Sequence, residues 1–267
     1  MSRGIAKLVT TAQAARLGSF AASFRELPID AEWLNEVAAL TRHRHGALRT
    51  YAQRLARLYL SDFDANALTG MYRMQLLPRG AWQTLLGGRP GGRLLDVGAG
   101  SGDVTAVLAE SFDEVEVTEV SRGMRKRLER RGFRCHALDL TASELVAEPF
   151  HTVALLNVLD RCERPQTLLR RAVAALAPGG RLLVALALPY RPFYFAGAST
   201  PEPLERLECD VGESGTWEDG ARRFIERDLL PLGLSLECFA RAPYLSAGDS
   251  ARPLYELDDV VVVLSKR

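Results

Sequence analysis

The chain of 267 residues carries a formal net charge of +1 and is 47% hydrophobic and 25% charged. These are ordinary values for a globular protein long enough to bury a core without cross-links. They argue against a dedicated nucleic-acid binder, whose phosphate contacts leave a strongly basic footprint. The longest apolar runs, Leu182 to Leu188 and Val260 to Leu264, fall far short of the roughly 20 residues of a membrane span.

The N-terminal stretch carries Arg3, Lys7, Arg16 and Arg25 and has no acid before Glu26. It reads either as a transit peptide or as a basic amphipathic helix packed on the domain, and its modest arginine content favours the second. Apolar residues recur at helical spacing through Trp33, Val37 and Leu40, and again through Leu48, Tyr51, Leu55 and Leu58. Residues 1–90 therefore read as a helical extension. The turn-rich Gly87-Gly88-Arg89-Pro90-Gly91-Gly92 separates it from a second unit, residues 91–267. In that unit Leu94 to Val97, Val115 to Thr118, Cys135 to Leu138, Val153 to Leu156 and Arg181 to Leu188 read as strands. Val104 to Ser111, Met124 to Arg131 and Gln166 to Leu176 read as the helices between them. Strands alternating with helices imply a parallel, doubly wound sheet. Leu234 to Phe239 and Val260 to Leu264, with no full helix between them, suit an antiparallel pair closing its edge.

Chemistry concentrates where strands meet turns. Asp96-Val97-Gly98-Ala99-Gly100-Ser101-Gly102 runs from a buried strand into a glycine-rich turn and then a helix. Such a turn lets the backbone approach a ligand closely, and the helix start presents free N–H groups. The G-x-G-x-G spacing differs from the G-x-G-x-x-G that seats a dinucleotide pyrophosphate. Asp96 precedes the first glycine, where a carboxylate suits an ammonium group better than a phosphate. Glu119 ends the second strand, where an acid accepts both hydroxyls of a ribose. Together with Leu176-Ala177-Pro178-Gly179-Gly180-Arg181 before the fifth strand, this arrangement resembles the class I S-adenosylmethionine methyltransferases, a Rossmann-like fold with a seven-stranded sheet. The resemblance implies S-adenosylmethionine as cofactor and S-adenosylhomocysteine as its product. Asp139, after the third strand, stands where that superfamily often sets an acid against the adenine amino group, and reads equally as a loop acid.

After the fourth strand comes Asn157-Val158-Leu159-Asp160-Arg161-Cys162. Strand ends face the ligand crevice in such sheets, and the spacing of three suits a helical turn aiming Asn157 and Asp160 the same way. This segment, with Leu188-Pro189-Tyr190-Arg191-Pro192, Arg241-Ala242-Pro243-Tyr244-Leu245 and Tyr255-Glu256-Leu257-Asp258-Asp259, resembles the DREV, or methyltransferase-like nine, family of protein-histidine N-pros-methyltransferases. The resemblance runs from about Arg93 to the C-terminus. It implies a histidine acceptor in a protein or peptide, often within His-x-His where x is small. It also implies that Glu119, Asn157 and Tyr244 touch the cofactor, and that Asn157, Asp160 and Tyr255 hold the imidazole. Two departures accompany it: Gly70-Met71-Tyr72-Arg73-Met74 replaces a Gly/Ser-rich stretch, and Ser101 stands where relatives carry an acid.

Other features read as ordinary. Cys135, Cys162, Cys209 and Cys238 lack C-x-x-C or zinc-like spacing and read as reduced thiols of a cytoplasmic or organellar compartment. No metal site is expected. The basic residues between Arg122 and Arg134 read as a solvated helix face, with docking of acidic partners or RNA as the other reading. His43-Arg44-His45 reads as helix surface; self-methylation is conceivable, but arginine fits a small middle position poorly. Asp258 and Asp259 read as turn residues before the last strand rather than as a site for a basic peptide. A monomer is expected. Two rivals to histidine methylation stand: a methyltransferase acting on RNA or a small molecule, and a non-catalytic cofactor-binding module.

Overall fold

The computed structural model describes residues 8–42, 73–145, 147–194, 202–212, 214–247 and 254–267. Leu48 to Leu58, His43-Arg44-His45 and Gly70-Met71-Tyr72 lie outside the described residues. One eight-stranded mixed sheet dominates, in the order β1-β7-β8-β6-β5-β2-β3-β4. Its strands are β1 (Met74–Gln75), β2 (Arg93–Val97), β3 (Glu114–Thr118), β4 (Arg134–His136), β5 (Phe150–Leu156), β6 (Leu176–Ala187), β7 (Leu234–Ala247) and β8 (Leu254–Lys266). Strands β2 to β6 are parallel; β8 lies antiparallel between β6 and β7, and β1 pairs antiparallel with β7. This is the Rossmann-like α/β fold expected from the alternation, with the two-residue β1 added at its edge.

The central strands are buried on both faces, which is why they read as unbroken apolar runs. Their alternating side chains feed two cores. On one face Leu95, Val153, Leu155, Val184, Val260 and Val262 meet Leu168 and Leu169 of α6 (Pro165–Ala174) and Trp217 of α7 (Trp217–Arg223). On the other, Leu94, Ala154, Leu183, Ala185, Val261 and Val263 meet Trp33 and Val37 of α2 (Ala31–Arg42) and Trp82 and Leu85 of α3 (Arg79–Leu86). Trp33 and Trp82 are fully enclosed. Each such side chain contributes about 1.5–3 kcal/mol of burial energy, and the aromatics dominate.

The basic N-terminal stretch, so far as it is described, packs on the sheet domain. It holds α1 (Ala14–Leu17) and a 3-10 turn, Gly18–Ser23. Gln13 donates its N–H to Glu218 Oε1 at 2.8 Å, and Arg25 donates its own to the Phe239 carbonyl at 2.8 Å. Phe24 stands edge-on to both Trp217 and Phe239.

The last two strands extend well beyond the apolar runs that announce them. Asp258, expected in a turn, lies within β8 and pairs with Arg241 of β7. The two charges satisfy each other across the ladder, so the strands continue through residues whose polarity suggests loop. Helix α7 turns Trp217, Gly220 and Ala221 toward the core, and a capping box between Thr216 and Asp219 starts it. Among the described residues no helix is long and apolar enough to cross a membrane.

Candidate active site

Strand order reverses at β2: β3 and β4 run to one side, β5 and β6 to the other. In parallel α/β sheets a ligand crevice opens outside the strand ends at such a switch point. The glycine turn leaves β2 there, and Asn157 leaves β5 beside it. Gly98 has φ +71, and a Cβ on it would lie 2.8 Å from Val158 Cγ2, so the two turns touch. The Gly98 N–H donates to the Thr118 carbonyl at 3.0 Å and the Gly100 N–H to Glu119 Oε2 at 2.9 Å.

Glu119 is buried and joins two pieces of the site. Its second oxygen, Oε1, accepts the Ser121 N–H at 2.7 Å, at the start of α5 (Arg122–Arg130). Burial raises its pKa, and the backbone N–H groups oppose that rise. Asp96 lies beneath the turn, where Oδ2 accepts the Thr105 hydroxyl of α4 (Asp103–Ala109) at 2.7 Å. Burial is the main force pushing its carboxyl up to about 7. Asp139 is exposed after β4 and accepts from the N–H and hydroxyl of Thr141, both at 2.7 Å. It shapes its own loop. Ser101 donates to Asp103 Oδ2 at 2.7 Å.

Asn157 and Asp160 are both buried after β5. The segment is a tight turn closed by Arg161 N–H to the Val158 carbonyl at 3.1 Å, where a helical turn was expected. The reason is local: Asn157 takes φ +56, outside the helical region. Asp160 faces Arg161 Nε at 3.6 Å through Oδ2, while Oδ1 is buried with no partner. Burial raises its pKa and Arg161 opposes this. The Asp160 carbonyl accepts the Phe193 N–H at 2.6 Å, tying the Leu188-Pro189-Tyr190-Arg191-Pro192 loop to the site.

The antiparallel edge completes the crevice. Because β8 runs against β6, its first residues stand level with the ends of the parallel strands, Asp259 opposite Ala187. Asp259 has no solvent exposure, and its Oδ2 accepts from Asn157 Nδ2 at 2.6 Å. This corrects the expectation of a turn residue. Tyr244 on β7 is buried and donates its hydroxyl to Met74 Sδ. Its own pKa is raised, first by burial, with the charges of Asp259, Asp160 and Asp103 adding to the rise and Arg161 opposing it. Tyr255 lies opposite Ser246, half-buried on the face of β8 that also bears Leu257 and Asp259.

Asn157, Asp160, Asp259 and Tyr244 thus converge beside the glycine turn, with Glu119 across it and Asp96 below. Three of the buried acceptors that have no hydrogen-bond partner among the described residues lie here: Asn157 Oδ1, Asp160 Oδ1 and Asp259 Oδ1. Buried acceptors left unpaired cost about 1–3 kcal/mol each, so their convergence marks a place built for a donor-rich ligand. A family model of the DREV methyltransferases matches residues 16–266.

The chain belongs to the DREV methyltransferase family.

Its methyl donor is S-adenosylmethionine. Among other relatives, this DREV methyltransferase is 27% identical over 159 residues to protein-L-isoaspartate O-methyltransferase of Aeropyrum pernix; the match spans 52% of this chain and 59% of that relative's length. Among solved structures it is similar to the N-methyltransferase NodS of Bradyrhizobium japonicum WM9 with bound S-adenosyl-L-homocysteine. That likeness has 18% identity and a TM-score of 0.43, over 68% of this chain and 81% of that one. It is also similar to magnesium protoporphyrin IX methyltransferase of Synechocystis PCC 6803 with bound S-adenosylmethionine, at 14% identity and a TM-score of 0.45, over 82% and 95%.

Proposed function

We propose that this DREV methyltransferase methylates the pros nitrogen of a histidine in a protein or peptide, within His-x-His motifs. The observation that carries the reading is the group of unpaired buried acceptors on Asn157, Asp160 and Asp259, together with the family's resemblance at Asn157 to Cys162. The residues present fit the cofactor: Glu119 would hold the ribose hydroxyls, Asp139 the adenine edge, and Asn157 and Tyr244 the amino-acid portion, over the turn at Gly98 and Gly100. Asp96 supplies negative charge beneath that turn. When bound, S-adenosylmethionine supplies a methyl group on a positively charged sulfur.

The rest of the chemistry belongs to the chain and its substrate. A neutral imidazole has one lone-pair nitrogen and one N–H nitrogen. Asp160 Oδ1 accepts the N–H of the tele nitrogen, which leaves the pros lone pair free and selects the tautomer. As the ring becomes an imidazolium, the same carboxylate stabilises the growing charge. Tyr255, on the Asp259 face of β8, bounds the ring, and the buried setting strengthens each of these interactions. Positioning supplies much of the remaining acceleration, so no strong base is needed.

The test is methyl transfer from labelled S-adenosylmethionine to a His-Ala-His peptide, its Ala-Ala-Ala version and Asp160→Ala. The expected result is transfer to the first peptide alone. Loss in the variant should reach about 10²–10³-fold in kcat, as for other groups that stabilise developing charge, with S-adenosylhomocysteine still bound. Cofactor binding without transfer to any histidine peptide would overturn the histidine reading and direct the search to RNA or small-molecule acceptors.

A further inference from the structure

Asn157 is the only described residue other than glycine with a positive φ, and its backbone is fixed by donation of its N–H to the Ala185 carbonyl at 3.0 Å. Its side chain is another matter. Rotating a carboxamide by half a turn exchanges a two-donor group for an acceptor of nearly the same shape. What the crevice offers a ligand at this point therefore depends on whatever holds the amide. That group is Asp259, fully buried, whose Oδ2 lies 2.6 Å from Asn157 Nδ2. An ionised carboxylate only accepts hydrogen bonds. Paired with the ionised form, the amide turns its NH₂ toward Asp259, and Oδ1 is left buried and unpartnered.

The sheet has no need of this carboxylate. Asp259 stands between Ala187 of β6 and Ala242 of β7, with Val260 to Leu264 following on the same strand. Burying a charge in such surroundings is costly, and an apolar residue of similar size would hold the ladder as well. Burial, Asp160 and Asp258 all push its pKa upward, while Asn157 and Arg161 oppose them. A cationic ligand alongside would relieve that opposition to ionisation.

We propose that Asp259 is a positioning residue: its carboxylate locks the Asn157 amide with Oδ1 toward the ligand, so that the site takes a donor there, the ammonium of the cofactor's amino-acid portion, and rejects an acceptor. The inference rests on the cofactor half of the proposed function and not on its histidine half.

The experiment compares the full chain with Asp259→Asn and with the exchange Asn157→Asp/Asp259→Asn. Calorimetric titration uses two ligands: S-adenosylhomocysteine, and 5′-methylthioadenosine, which lacks the amino-acid portion. Thermal melting of the ligand-free proteins runs beside it. In Asp259→Asn the two amides can pair in either sense, so the hydrogen bond survives but the lock is gone. The expected result is S-adenosylhomocysteine affinity down about tenfold or more, methylthioadenosine within about twofold, and melting unchanged or raised. The exchange variant again leaves an acceptor facing the ligand and should recover S-adenosylhomocysteine binding. Affinity for S-adenosylhomocysteine unchanged in Asp259→Asn, or lost equally for both ligands, overturns the proposal. If the single variant does not fold, the exchange decides: recovered binding supports the lock, and no binding overturns it. Neither ligand reports on the acceptor, so failure of the histidine reading leaves this test intact.

Discussion

A buried carboxylate that accepts two backbone N–H groups does different work from one with an empty oxygen. Glu119 is the first kind: the Gly100 N–H donates to one oxygen and the Ser121 N–H to the other. Replacing it with glutamine sets an NH₂ against a backbone N–H. Glu119→Gln should therefore lose about 1–3 kcal/mol of stability in urea unfolding and at least about tenfold in S-adenosylhomocysteine affinity. An unchanged affinity would remove Glu119 from the cofactor site. Glu119, Asn157 and Asp160 are legible in the sequence because each follows a recognisable apolar strand, and strand ends define the crevice. Asp259 is not. An acid before an apolar run reads as a turn, and its partner Asn157 lies 102 positions earlier, beyond any local pattern. Its place in a segment that carries the family resemblance does not say what it does; the signal for its position is topological, the antiparallel β8 bringing Asp259 level with the end of β6.

At the scale of elements, the junction between the β2 and β5 turns is a close contact at the heart of the site. Gly98→Ala would force a side chain against Val158 at a position with φ +71. The strain and the collision together should cost about 2–4 kcal/mol and weaken cofactor binding, because the turn must move away from Asn157. Chemical unfolding and calorimetry read the two effects separately, and a stable variant with normal affinity would show that the turns are free to separate. Parallel strands and their helices are legible because apolar runs of strand length alternate with helical spacing. The full lengths of β7 and β8 are not, since Arg241 and Asp258 interrupt the pattern and answer each other only once the strands are paired. Helix α7 goes unread because its 7 residues are too few for Trp217, Gly220 and Ala221 to repeat as a stripe, and only the Thr216–Asp219 capping box announces it.

Across the whole molecule, the buried acids give the ligand-free protein a definite pH response. Burial lifts Asp96 to about 7 and Asp228 to about 6, and also raises Glu119, Asp160 and Asp259. Raised folded-state values mean that the folded chain holds more protons than the unfolded one between about pH 4 and pH 7. These groups therefore contribute stability that is full below their ordinary pKa and is lost as pH rises through the folded values. The ligand-free melting temperature should fall from pH 5 to pH 8, and S-adenosylmethionine, bringing positive charge to the carboxylates of the crevice, should flatten the fall. A melting temperature that rises over this interval would contradict the burial of these acids. The order of strands in the sheet also sets a timetable. Strand β8 is made after β7 yet lies between β6 and β7, so β7 cannot join the sheet until β8 has left the ribosome. A nascent chain already carries the glycine turn and Glu119 but lacks Asp259. With the role proposed for Asp259, competence to bind the methyl donor would be acquired late in synthesis, and a chain terminated before β8 should bind S-adenosylhomocysteine weakly.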